Sequence, residues 1–62
     1  MKLAQFLKHL RKHGCVFVRE GGNHSWWSNP AKNLRSSVPR HGEIVDLLAR
    51  KICKDLGIPF TK

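Results

Sequence analysis

Four histidines, His9, His13, His24 and His41, are the side chains of this 62-residue chain best suited to chemistry near neutral pH. An imidazole titrates near about pH 6.5 when unperturbed, so it can give or take a proton in that range. His9 and His13 stand i, i+4 in a stretch that reads as helix, a spacing able to chelate a metal. No third ligand lies close to them in the sequence, so they read as a solvated helix face, and neither metal nor cofactor is expected. His24 follows the tight Glu20-Gly21-Gly22-Asn23 turn and opens an aromatic run. It can be a proton-transfer group or one more solvated polar residue beside a turn. Arg40-His41 likewise can meet a substrate or can be polar residues of a helix-entry loop. Cys15 and Cys53 form no CxxC pair. They read as small buried hydrophobes, unbridged in the reducing cytoplasm where the chain is expected to work.

Charge narrows the partners. Twelve Lys and Arg against four Asp and Glu give a net charge of +8. Such a field attracts polyanions, and phosphate contacts dominate nucleic-acid affinity. An acidic protein partner would use the same field. A membrane is disfavoured, because no stretch approaches the roughly 20 apolar residues of a span. Met1-Lys2-Leu3 opens a periodic helix rather than a signal peptide. A chain this short reads as one domain, residues 1–62, monomeric when free. It buries only about 60% of its unfolded surface, so a site should lie open and suit an extended polymer. RNA carries its own nucleophile, the 2′-hydroxyl, and needs from a protein a base, an acid and positive charge at the phosphate. Arg19, Lys32, Arg35 and Arg40 are the candidate cations, and Trp26, if exposed, can stack on a base.

The elements that must position these groups follow from periodicity. Leu3, Phe6, Leu7 and Leu10 make an apolar stripe at helical spacing over residues 2–13, and Gly14 supplies a left-handed stop. Residues 15–19 are β-branched and aromatic, and read as a strand. After the glycine turn, residues 24–28 form an antiparallel second strand. Residues 29–33 are a polar loop, residues 34–38 a third strand, and Pro39 closes it. Residues 43–56 read as a second helix with Ile44, Leu47, Leu48, Ile52 and Leu56 as its stripe, Glu43 in its first turn and Gly57 as its stop. The order is α-β-β-β-α. The expected fold is α+β, a two-layer sandwich with both helices on one face of a three-stranded antiparallel sheet. Alternation puts His24, Trp26 and Ser28 on one face, Ser25 and Trp27 on the other. Trp27 is assigned inward. Periodicity leaves Trp26 open between exposure and burial.

Gly21-Gly22-Asn23-His24-Ser25-Trp26-Trp27 resembles the Gly-x-His-x-x-aromatic segment of the HicA, or YcfA-like, toxins. Val38-Pro39-Arg40-His41 resembles the Val-Pro-x-His segment after that family's third strand, and residues 52–58 resemble its C-terminal helix end. The opening helix, Gly14 and the Val16-Phe17-Val18-Arg19 strand fit in order. The resemblance implies a fold similar to double-stranded RNA-binding domains. It also implies a toxin of a type II toxin–antitoxin system that cleaves mRNA as a metal-independent endoribonuclease, with a HicB-like antitoxin as partner. It places the catalytic histidine at His24 and the family aromatic at Trp27. The sequence departs from the family at Ser25, where many members carry His or Arg, and at residues 42–46, where many carry Gly-Thr-Leu. A non-catalytic RNA-binding module and a domain that only docks an acidic partner are the alternatives.

Overall fold

The computed structural model describes residues 1–40 and 42–60. Its elements run α1 (Leu3–Lys12), β1 (Val16–Gly21), β2 (His24–Asn29), β3 (Leu34–Pro39) and α2 (Asp46–Asp55). The strands form one antiparallel sheet in the order β1-β2-β3. Both helices lie on one face, as the α-β-β-β-α reading expects. The shortest dimension is 16 Å, which leaves room for one sheet and one helix layer.

The core lies between the layers. Phe6 and Leu10 of α1, Trp27 and Val38 of the sheet, and Ala49, Ile52 and Cys53 of α2 are buried together with Cys15, Ile44 and Leu56. Cys15 and Cys53 are free thiols inside it. Trp27, 2% exposed, is among the largest fully buried side chains. Its indole N–H donates to Ser25 Oγ at 3.2 Å, and that hydroxyl donates onward to the Val38 carbonyl at 3.4 Å. The inward face of β2 therefore satisfies its own polar atoms, as burial demands.

Both helices end in the same way. After α1, Cys15 N–H bonds the Leu10 carbonyl and Gly14 N–H bonds that of Arg11; after α2, Ile58 bonds Cys53 and Gly57 bonds Lys54. These paired bonds are the Schellman arrangement, which needs a left-handed residue, here Gly14 at φ 85° and Gly57 at φ 69°. The end of α2 is also tied to the loop between β2 and β3. The buried Asn29 amide donates to the Leu56 carbonyl at 2.7 Å, and Lys32 Nζ to the Gly57 carbonyl at 2.7 Å.

The second helix corrects the sequence expectation. It begins at Asp46, not Glu43, and Asp46 is the acidic residue of its first turn. The preceding segment is extended and pairs with the start of the chain. Lys2 and Glu43 form a β-bridge, Leu3 N–H bonds the Gly42 carbonyl, and Ile44 N–H bonds the Met1 carbonyl. These long-range bonds satisfy backbone groups that a longer helix would have satisfied locally. The buried stripe of α2 is Ala49, Ile52 and Cys53, continued by Leu56 at the C-cap. Leu47, at 80% exposed, and Leu48 lie outside it.

One irregularity shapes the sheet. Phe17 pairs with Trp27 and Arg19 with Trp26, so Val18 is an extra residue, a β-bulge in β1. Beyond it Glu20 pairs with Ser25 and Gly21 with His24.

Candidate functional site

His24 is the first residue of β2, directly after the Gly22-Asn23 turn. It pairs with Gly21 on one side and Pro39 on the other. Paired residues share a face, so this side of the sheet carries Gly21, His24 and Pro39 at one end, then Arg19, Trp26 and Ser37, then Val16, Ser28 and Arg35. No helix covers it. The His24 ring is exposed and makes no hydrogen bond with the described residues.

Trp26 is 36% exposed, which settles the question its alternation left open. It does not stand upright. Its indole leans over β1 so that a Cβ at Gly21 would lie 3.2 Å from Nε1 and 3.4 Å from Cδ1. Val18, Arg19, Trp26 and Arg35 line a shallow hollow of about 150 Å³. Arg19 comes from β1 and Arg35 from β3, so each neighbouring strand contributes a cation to the lining of the hollow. Positive charge, an aromatic face and an accessible imidazole thus share one open surface.

Other residues singled out in the sequence are placed elsewhere. Lys32 is committed to the Gly57 carbonyl at the end of α2. Arg40 is engaged at the turn: Nη1 stands 3.2 Å from a Glu20 carboxylate oxygen and donates to the Gly22 carbonyl at 3.5 Å, while its backbone N–H bonds the Asn23 carbonyl at 3.1 Å. It braces the loop that carries His24, from the helix side, where it also lines a groove with Leu3, Leu7, Phe17 and Trp27. His41 lies outside the described residues. His9 and His13 meet edge to face at 4.5 Å, and His9 Nε2 is 2.8 Å from the Pro59 carbonyl oxygen. Among the described residues no group of three or more His, Cys, Asp or Glu is placed to hold a metal ion.

Sequence reasoning passed over Gly21 as a residue of the surface, treating it only as part of the turn. Its signal was its place opposite His24, which depends on the bulge and so is invisible to alternation. Ser25, the departure from the family pattern, points to the helix layer and serves Trp27. Burial pushes both thiols, Cys15 and Cys53, above the ordinary cysteine value, and Cys15 adds to the effect at Cys53.

The family whose sequence model matches is the HicA toxin of bacterial toxin–antitoxin systems, over residues 4–58. The chain belongs to the HicA toxin family. It is thus a toxin of the toxin–antitoxin type, and membership implies an antitoxin partner. No curated protein and no solved structure matches it. The HicA match spans every strand and α2, and takes in the turn, His24 and the open face. None of the described helices is long and apolar enough to cross a membrane.

Proposed function

We propose that this HicA-family chain is a single-domain endoribonuclease that cleaves mRNA at the open sheet face, without metal, with His24 as its catalytic residue. The observation that carries the reading is the arrangement of that face: an exposed imidazole beside a hollow built from Trp26, Arg19 and Arg35. His24 takes the proton of a ribose 2′-hydroxyl as general base. The freed oxygen attacks the adjacent phosphorus, and the bond to the 5′-oxygen breaks as that oxygen is protonated. The products are a 2′,3′-cyclic phosphate and a 5′-hydroxyl. Arg19 and Arg35 offset the charge of the phosphorane, as oriented cations do where negative charge develops. Arg40 holds the turn that aims His24.

The expected antitoxin is a HicB-like protein, acidic where it meets this face. Covering the face would block the RNA site and neutralise its field in one event.

The test is incubation of purified protein with long RNA and with DNA of the same sequence, with and without chelator, beside His24→Ala. RNA should be cut and DNA spared, because DNA lacks the 2′-hydroxyl. His24→Ala should bind RNA without cutting it. Recovery of 5′-phosphate ends would show attack by water and sink this mechanism. Undiminished cutting by His24→Ala would remove the assignment of the residue. RNA binding without cleavage by the wild-type protein would leave a binding module.

A further inference from the structure

The open face holds one feature that a duplex cannot use. Trp26 lies along the sheet, its indole edge against Gly21, with Val18, Arg19 and Arg35 around it. In a base-paired helix the base faces are stacked on one another, and the edges and sugar-phosphate backbone meet the protein. A hollow lined by an exposed aromatic ring and two arginines suits a base presented by its face. That base must be unstacked and unpaired.

We propose that Trp26 is the stacking platform for one unpaired nucleobase, with Arg19 and Arg35 beside it to hold the adjoining phosphates, and that the substrate is single-stranded at the site of cleavage. This rests on the ribonuclease reading above. Geometry also sets the register. His24 and Trp26 are two residues apart on one strand and on one face, a separation of roughly 6.6 Å at the usual rise per residue. The indole leans toward Gly21, the residue paired with His24, so the base on Trp26 belongs to a nucleotide beside the scissile phosphate, and stacking holds that phosphate near the imidazole. Gly21 is the positioning residue. It leaves the indole room to lie down, and any Cβ there would crowd Nε1 and force the ring to shift.

Stacking needs only a base face, so the platform should accept DNA as well as RNA, whereas cleavage needs the 2′-hydroxyl. This separates the two readings experimentally. The test uses the full-length protein carrying His24→Ala, with three probes: a single-stranded RNA oligomer, DNA of the same sequence, and the RNA annealed to its complement. Binding is followed by anisotropy and by tryptophan fluorescence, where the exposed Trp26 responds and the buried Trp27 does not. Both single strands should bind and quench, and the duplex should bind at least roughly tenfold more weakly. Adding Trp26→Ala should cost the single strands roughly 5- to 150-fold. Trp26→Phe should restore most of that, because it keeps an aromatic face. Gly21→Ala should cause a smaller loss and a weaker quench with an unchanged melting curve. Equal affinity for duplex and single strand, or single-strand binding indifferent to Trp26→Ala, would overturn the platform. Undiminished cleavage by His24→Ala, with the stacking results intact, would sink the ribonuclease assignment of His24 and leave the platform standing.

Discussion

Two adjacent tryptophans should fail in opposite ways when truncated. Trp27 is 2% exposed, holds the inner face of β2 and donates to Ser25; Trp26 is 36% exposed on the outer face. Removing a buried aromatic side chain costs about 3–5 kcal/mol. A chain of 62 residues has roughly 3–9 kcal/mol of stability in total. Trp27→Ala therefore removes a third to all of it, and also leaves the Ser25 hydroxyl without its indole donor. The melting temperature should fall by roughly 12 °C or more, or the protein should be unfolded at room temperature, since each kcal/mol moves a domain of this size by about 4–8 °C. Trp26→Ala loses mainly cross-strand contacts, worth roughly 0.2–1 kcal/mol each, and should melt within about 8 °C of wild type. Thermal unfolding by circular dichroism, beside RNA binding at a temperature where both variants are folded, reads the contrast. Equal destabilisation by the two substitutions would mean that the faces are assigned wrongly, and the argument for the open surface would go with them.

Replacing both Arg19 and Arg35 by Ala should flatten the dependence of single-stranded RNA affinity on salt, lowering the log–log slope by about 1.4 if each holds one phosphate; an unchanged slope in titrations across salt would show that neither does. Arg35→Glu should weaken RNA and antitoxin together while His24→Ala keeps the antitoxin, and calorimetry with the partner tests this, an unaffected partner affinity placing the inhibitor elsewhere. Gly57→Ala should lower the melting temperature by roughly 5–15 °C, because a left-handed Ala costs about 1–2 kcal/mol and its Cβ would stand 2.8 Å from Lys32 Cδ. Burial raises both thiols above 9.0 in the folded protein, so the unfolded chain ionises first as pH climbs; stability should be level in this respect below that value and fall above it until the raised folded values are passed. Denaturant midpoints measured upward from pH 8, with a shallower fall in Cys15→Ala, would bear this out.

The element order was legible because each element declares itself by local periodicity: the Leu3-Phe6-Leu7-Leu10 stripe, the two short strands around a glycine turn, and the glycine stops after both helices. Trp27 could be turned inward because the resemblance supplied one fixed point, and alternation then placed His24 on the other side. What escaped was non-local. Residues 43–45 carry a pattern that continues the helix, yet Glu43 bridges Lys2 and Ile44 bonds Met1, each more than forty positions earlier, and no local preference reports such a partner. Lys32 and Arg40 were chosen for charge alone. Charge does not reveal that one side chain caps the end of α2 and the other braces a turn. The posture of Trp26 depends on Gly21, which only strand pairing brings beside it.

The bulge at Val18 decides which charged side chain of β1 stands beside His24. Counted two by two from Phe17, Arg19 would face the helix layer and Glu20 would stand opposite the histidine. The extra residue reverses both: Arg19 joins Trp26, Gly21 takes the place opposite His24, and Glu20 passes to the far side to meet Arg40. Composition and net charge are identical in the two arrangements. Whether the β1 neighbour of His24 favours or opposes a phosphate is thus a matter of parity. Relatives that agree with this chain in charge but lose the bulge would present a carboxylate to the substrate, so counting residues between the strand anchors is a more telling comparison than counting arginines.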